Sequence, residues 1–417
     1  MQSAAAYPLS ARVQASAAPP IPRAAEWATR YRPTRSDSDD GALINLSQGV
    51  PGAPPPPQML EKLADATRDP ATTGYGPLAG DSSLRTAVAQ HLGQLYAVPD
   101  HDDKGRRISA ENVAITAGCN LAFYATMLAL AEPGDEIILP TPWYFNAHMT
   151  IQQLGLTPVP LPCPAPSFLP SPEDCARLIN PQKTRAIVLV TPNNPTGAIY
   201  PPELLRQFAT LAREHKIALV LDETYRDFVA APPHDLFAET DWPTYLIHLF
   251  SFSKSYAIPG HRLGGLVASP TFLSQISKLL DCIQICPARP AQRAVEWAIT
   301  GLAEWRRETR EQLQDRQRVF RELLLEKEVE GWEVATGGAY FAYVRHPFKG
   351  ASSELVSQRL AEQVGIVTLP GTFFSPPFAN PEQDDRYIRF SIANVDEATL
   401  RKVPARLEKL NKLWHAL

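Results

Sequence analysis

Six short, mainly apolar runs punctuate the chain: VAIT (113–116), EIILP (136–140), AIVLVT (186–191), IALVLD (217–222), LIHLFS (246–251) and GGLVAS (264–269). Their lengths suit strands, and they lack the strict apolar–polar alternation of a sheet with one wet face. Helical patterns separate them. Together they predict an α/β fold, a mostly parallel central sheet flanked by helices. Proline clusters in PGAPPPP (51–57) and PVPLPCPAPSFLPSP (158–172). Without N–H groups these stretches suit neither helix interiors nor central strands, and both read as connectors.

After about residue 300 the pattern changes to a long charged helix, EWRRETREQLQDRQRVFRELLLEKE, followed by a strand at YFAYV (340–344), a helix, and a strand near YIRFSI (387–392). That reads as a smaller α+β domain. At 417 residues the chain exceeds the size at which one core stops growing, which also favours two domains. The expected division is a large domain over 61–300, a small domain built from 41–60 and 301–417, and a mobile N-terminal arm over 1–40.

A net charge of -4 and a pI near 6.2 give no general pull toward nucleic acid or anionic lipid. No apolar run approaches the roughly 20 residues that span a bilayer, and MQSAAAYPLSARVQAS lacks the apolar core of a secretory signal. An intracellular, cytoplasmic protein is expected. The Ala- and Ser-rich start, with Arg12 and Arg23 but no acid before Glu26, is the only feature resembling a mitochondrial leader. The cysteines at 119, 163, 175, 282 and 286 form no CxxC pair, so reduced thiols and no metal site are expected.

In sheets of this kind ligands bind beyond the carboxyl ends of the strands, and the unusual residues fall there. Lys254, in SFSKSYAIPGHRLGG, follows a buried strand; alone it could be a solvated charge, a phosphate ligand or a Schiff-base nucleophile. Asp222 ends an apolar strand, where a carboxylate is costly unless something cationic meets it. TPNNPTG (191–197) leaves a strand and offers Asn194 to the cleft. TAGCN (116–120) lies at a strand-to-helix junction, where free N–H groups favour a phosphate. Ser251, Ser253 and Arg262 around Lys254 would complete a phosphate-binding set. Arg389, a planar fork in an otherwise apolar strand, suits bidentate capture of a carboxylate.

The motifs GYGPLAG, TAGCNLAF, PNNPTG, DETY, SFSKSYAIPGHRLG and YIRFS, in this order between residues 74 and 391, resemble the fold-type I pyridoxal 5'-phosphate (PLP) enzymes of the class I/II aminotransferase group. The resemblance implies an internal aldimine on Lys254, Asp222 against the pyridinium nitrogen, and Asn194 and Tyr225 at the phenolic oxygen. It places Gly118 and Cys119 at the phosphate with Ser251 and Arg262. Tyr144 would stack on the ring, although the adjacent Trp143 could take that place by a one-residue slip. Arg389 would bind the substrate carboxylate with Gly49 beside it. Tyr75 would reach the neighbouring subunit's phosphate, which implies a homodimer.

The implied reaction moves the α-amino group of an amino acid to a keto acid. A carbon–sulfur β-lyase, or a related elimination or cyclisation enzyme, is the alternative on the same scaffold. An intact Lys254 and Asp222 argue against a non-catalytic regulator. Where dicarboxylate-specific relatives carry a second arginine, LLDCIQICPARP (279–290) has none before Arg289, so an acidic substrate side chain is disfavoured.

Overall fold

The computed structural model describes residues 7–33, 41–98, 108–230, 234–326, 329–376 and 385–415. Its central sheet has seven strands: β1 (Val113–Thr116), β2 (Glu136–Thr141), β3 (Thr157–Pro162), β4 (Thr184–Val190), β5 (Ala218–Asp222), β6 (Leu246–Ser251) and β7 (Gly264–Val267). Across the sheet they run β1-β7-β6-β5-β4-β2-β3. β2 to β6 are mutually parallel, and β7 runs antiparallel between β6 and β1. The six apolar runs are six of these strands. Leu189, Leu219 and Leu221 face one buried cluster and Val188, Val220 and Leu249 another, so the sheet is covered on both faces.

β3 corrects the reading of 158–172 as a connector throughout. Pro158, Pro160 and Pro162 pair with Ile137, Leu139 and Thr141 of β2. In the opposite phase, Thr157 and Cys163 donate to the carbonyls of Asp135 and Thr141 at 2.8 and 3.0 Å. Successive residues of a strand turn their N–H groups to opposite sides, so the prolines direct their missing donors away from β2. β3 is the edge strand, and no ladder bond is lost there.

The N-terminal segment is anchored by α1 (Pro20–Ala28), which buries Ala24 and Trp27 against Phe145, Val367, Leu369 and Phe374. Residues 1–6 and 34–40 of the expected arm lie outside the described residues. α2 (Pro57–Arg68) puts Met59 and Leu63 into the same buried cluster as Leu189, Leu219 and Leu221 of the central sheet.

The small domain has a four-stranded antiparallel sheet of β8 (Glu333–Gly338), β9 (Phe341–Arg345), β10 (Leu369–Pro370) and β11 (Tyr387–Ser391), in the order β10-β11-β9-β8. Phe320, Val344, Leu360, Phe390 and Leu407 form its own core. Ile44–Asn45 pairs in parallel with Ile366–Val367, tying the early segment to this domain. The domains meet over the carboxyl ends of β4, β5 and β6, where Arg389 of β11 donates to Asn194 at 2.7 Å and the Tyr340 hydroxyl to the Lys254 carbonyl at 3.4 Å. No helix among the described residues is long and apolar enough to cross a membrane.

Candidate active site

α3 (Cys119–Leu130) follows β1 through Gly118, which has φ +89°. A Cβ there would strike the Arg262 guanidinium, so glycine is required by both the backbone and the contact. Gly264, at the start of β7, would likewise drive a Cβ into the Cys119 nitrogen and the Phe250 carbonyl. These glycines bring the first turn of α3, with its unpaired N–H groups, against Arg262. Arg262 lies in the left-handed region and donates to the Pro259 carbonyl at 3.0 Å. Ser251 caps the next element by accepting from the Ser253 N–H at 3.2 Å. Backbone donors, hydroxyls and a guanidinium therefore converge in one corner of the cleft.

α4 (Phe145–Gln153) begins just after Tyr144, which lines the cleft. Trp143 is turned away and stacks on His148, ring centroids 4.4 Å apart. Burial pushes the Tyr144 phenol up to about 12, so it stays neutral at physiological pH.

Lys254 stands on α5 (Phe252–Ser255), a single turn following β6. Burial, reinforced by the positive fields of Arg262 and Arg389, pushes its amine down to about 8. Asp222, at the end of β5, accepts from the Thr224 N–H at 2.9 Å and has the Cys119 thiol 3.8 Å away. Burial raises its carboxyl above the ordinary range, and no cation among the described residues pairs with it. On the small-domain side the Arg389 guanidinium is buried between Phe341 and Phe374, 4.7 and 5.0 Å from their ring centres. It donates to the Asn194 side-chain oxygen and to the Ser47 carbonyl, while its Nε has no partner. Tyr225 packs edge-on against Phe341, with its hydroxyl facing Gly49.

The structure thus gathers Gly49, Cys119, Tyr144, Asn194, Asp222, Tyr225, Ser251, Lys254, Arg262 and Arg389 around one cleft, with Gly118 immediately behind. Tyr75 is not among them; it is 81% exposed and outside the cleft of its own chain. Ile21 of α1, together with Gln48, Val50, Asn120, Phe145 and Asn146, also lines the cleft, and none of these was singled out from sequence. Asn120 closes the TAGCN junction directly after Cys119; Ile21 carries no local signal.

The chain matches the model of the family "Aminotransferase class I and II" over residues 42–407. It belongs to that family. The aromatic aminotransferase ISS1 of Arabidopsis thaliana is 29% identical over 382 residues, 89% of this chain and 91% of the relative. An aspartate aminotransferase of Pyrococcus horikoshii is 30% identical over 371 residues, 88% and 90%. Among solved structures, substrate-bound BacF of Bacillus subtilis superposes with a TM-score of 0.84 at 25% identity, covering 97% of this chain and 98% of that one. Membership makes this class I/II aminotransferase a fold-type I PLP enzyme. The elimination alternative is not favoured.

The residues present fit that cofactor. The α3 corner offers donors to a phosphate, and Asp222 is a half-buried carboxylate, without a cationic partner among the described residues, suited to a protonated ring nitrogen. Lys254 is a half-buried amine in the cleft wall whose lowered basicity keeps it partly neutral, as Schiff-base chemistry requires.

Proposed function

We propose that Lys254 is the cofactor-binding lysine and the base that moves the substrate proton, in a homodimeric, cytoplasmic aminotransferase whose amino donor has a neutral, apolar or aromatic side chain. The observation that carries the assignment is the placement of one half-buried amine in the same cleft as Asp222 and the half-satisfied guanidinium of Arg389. When bound, PLP supplies the electron sink that makes the Cα–H of an amino acid acidic. Lys254 Nζ takes that proton, and its lowered basicity keeps enough free amine near neutral pH to do so. Asp222 holds the ring nitrogen charged. Asn194 and Tyr225 donate to the phenolic oxygen, the Asn194 oxygen being already engaged by Arg389. Gly118, Cys119, Ser251 and Arg262 hold the phosphate, and Tyr144 covers the ring. Arg389 orients the α-carboxylate, with the Gly49 backbone beside it.

The preference for a neutral side chain rests on the cations available. Lys254, Arg262 and Arg389 each have a task, and Arg289 is engaged by Asp81 at 3.3 Å and the Ala71 carbonyl at 2.6 Å. Ile21, Val50, Phe145 and Pro259 supply apolar lining. Exposed Tyr75, with Ile283 45% and Ile285 39% exposed, suits a face covered by a second subunit. Five unpaired cysteines suit a reducing compartment.

The test is the absorbance spectrum of the PLP-loaded protein with single L-amino acids and no keto acid. L-Phenylalanine should convert the cofactor stoichiometrically to its pyridoxamine form, and L-aspartate should do so far more slowly. Accumulating pyruvate and ammonia with an unchanged cofactor band would overturn the transaminase assignment. Faster conversion by aspartate would overturn the side-chain preference alone.

A further inference from the structure

Outside the cleft, a buried cluster of charges joins the segment after Tyr225 to α6 (Ala303–Glu326). Asp227 is its centre. Arg306 of α6 approaches its carboxylate at 3.8 Å, and Arg226 at 4.0 Å. Arg306 also contacts His91 Nε2 at 3.2 Å and donates to the Ile299 carbonyl at 2.6 Å. Its guanidinium lies 5.3 Å from the centre of the Tyr256 ring, and that of Arg226 lies 5.3 Å from the Phe250 ring. Arg226, then Arg306 and His91, hold the Asp227 carboxyl at about 2 against the effect of its burial, with a smaller contribution from the Ser255 hydroxyl, which also donates to the Ser251 carbonyl at 3.4 Å. None of Arg226, Asp227, Ser255, Tyr256 or Arg306 lines the cleft.

Such a cluster is poor value as a source of stability, because taking ions out of water offsets most of their attraction. Its neighbours suggest another use. Ser255 and Tyr256 are the two residues after Lys254, and they belong to or cap a helix of one turn. A helix that short has no cooperative stability of its own, so contacts from outside decide where its lysine stands. At its start the Ser251 cap holds it, and at its end the Asp227–Arg306 cluster does. Tyr225 in turn begins the turn that carries Arg226 and Asp227, with the Phe228 N–H donating back to its carbonyl at 3.1 Å. One buried cluster thus touches the chain next to both groups that must meet the reacting centre.

We propose that Asp227 and Arg306 are positioning residues, which act through Ser255 and Tyr256 to fix Lys254 relative to the Tyr225 hydroxyl. They touch neither substrate nor cofactor. The inference rests on Lys254 and Tyr225 having the roles assigned above. An error of about 1 Å in such a placement can cost on the order of 10²-fold in rate.

The experiment compares Asp227→Asn, Ser255→Ala and the double variant, each as PLP-loaded protein, with Lys254→Ala as a control. Each single variant should lower kcat about 10- to 100-fold while KM for the amino acid stays within about twofold. The pH midpoint of the cofactor's visible band should rise in both, because a displaced Tyr225 hydroxyl no longer stabilises the deprotonated phenolic oxygen. The double variant should be no slower than the slower single, as expected for two residues on one path. A lower thermal midpoint with unchanged kcat and pH midpoint would reduce the cluster to scaffolding and overturn the proposal, as would losses that multiply. Asp227→Asn leaves two buried guanidinium groups facing an amide; if it does not fold, the rate and pH midpoint of Ser255→Ala decide. An active Lys254→Ala would instead remove the role of Lys254.

Discussion

Asp222 and Glu223 are neighbours at the end of β5 and both are carboxylates, but Glu223 is buried while Asp222 is half-buried in the wall of the cleft, and their surroundings are opposite. Glu223 faces two histidines: its Oε2 accepts from the Tyr96 hydroxyl and lies 2.9 Å from His248 Nε2 and 3.2 Å from His234 Nε2, while Oε1 is buried without a hydrogen-bond partner among the described residues. Burial alone would raise its carboxyl, but the two histidines outweigh that and hold it well below the usual range. Among the described residues Asp222 receives hydrogen bonds only from the Thr224 hydroxyl and N–H and from a distant thiol, and burial pushes it up. The same residue chemistry, one position apart, is held anionic where two histidines face it and is left without a cationic partner among the described residues where it lines the cleft.

Removing the group that the cleft is built around should have the largest effect. Lys254→Ala should lower turnover by about 10⁴-fold or more and abolish the visible band of added PLP, read by absorbance and steady-state kinetics. The carboxylate comparison itself is broken or kept by a pair of variants. Asp222→Asn should cost about 10²- to 10⁴-fold in kcat with little change in thermal midpoint. Glu223→Gln should do the reverse, costing about 3 kcal/mol of stability by leaving a neutral amide among groups arranged for an anion. If both variants lose rate equally, or both lose only stability, the distinction falls.

Arg389→Lys comes next. A lysine keeps the charge but not the fork, so the KM of the amino donor should rise about 10- to 100-fold with a smaller change in kcat. The smallest effect is a matter of pH. Only the neutral amine attacks PLP, and the Lys254 amine titrates near 8. Capture of PLP by cofactor-free protein should accelerate as pH rises and level off just above 8, read by stopped-flow absorbance. A rate still climbing steeply at pH 10 would show an ordinary lysine.

Sequence disclosed the parts of this molecule whose signal is local. The apolar runs announced their strands because both faces of the sheet are covered, and Lys254, Asp222 and Arg389 stood out because charges are costly beside such runs. β8 and β10 were missed because EVATGG is glycine-containing and polar and Leu369–Pro370 spans only two residues. Ile21 could not be placed in the cleft, since what brings it there is the docking of α1 on Phe145 and Phe374, more than 100 residues away. Asp227 and Arg306 were equally silent. On paper they are one acid in a DETYRDF stretch and one arginine in a charged helix; only folding shows that they share a buried site.

The prolines of β3 carry a last consequence. An open sheet ends in a row of donors and acceptors to which a foreign strand can add, and long, flat edges of this kind seed aggregation. Here every second residue of the outermost strand is unable to donate outward, so an incoming chain would find carbonyls without the matching amides. The edge is closed chemically rather than by covering it. Replacing Pro158 and Pro160 with valine would leave the internal ladder intact and restore that row of donors, turning a terminated sheet into one that can be extended.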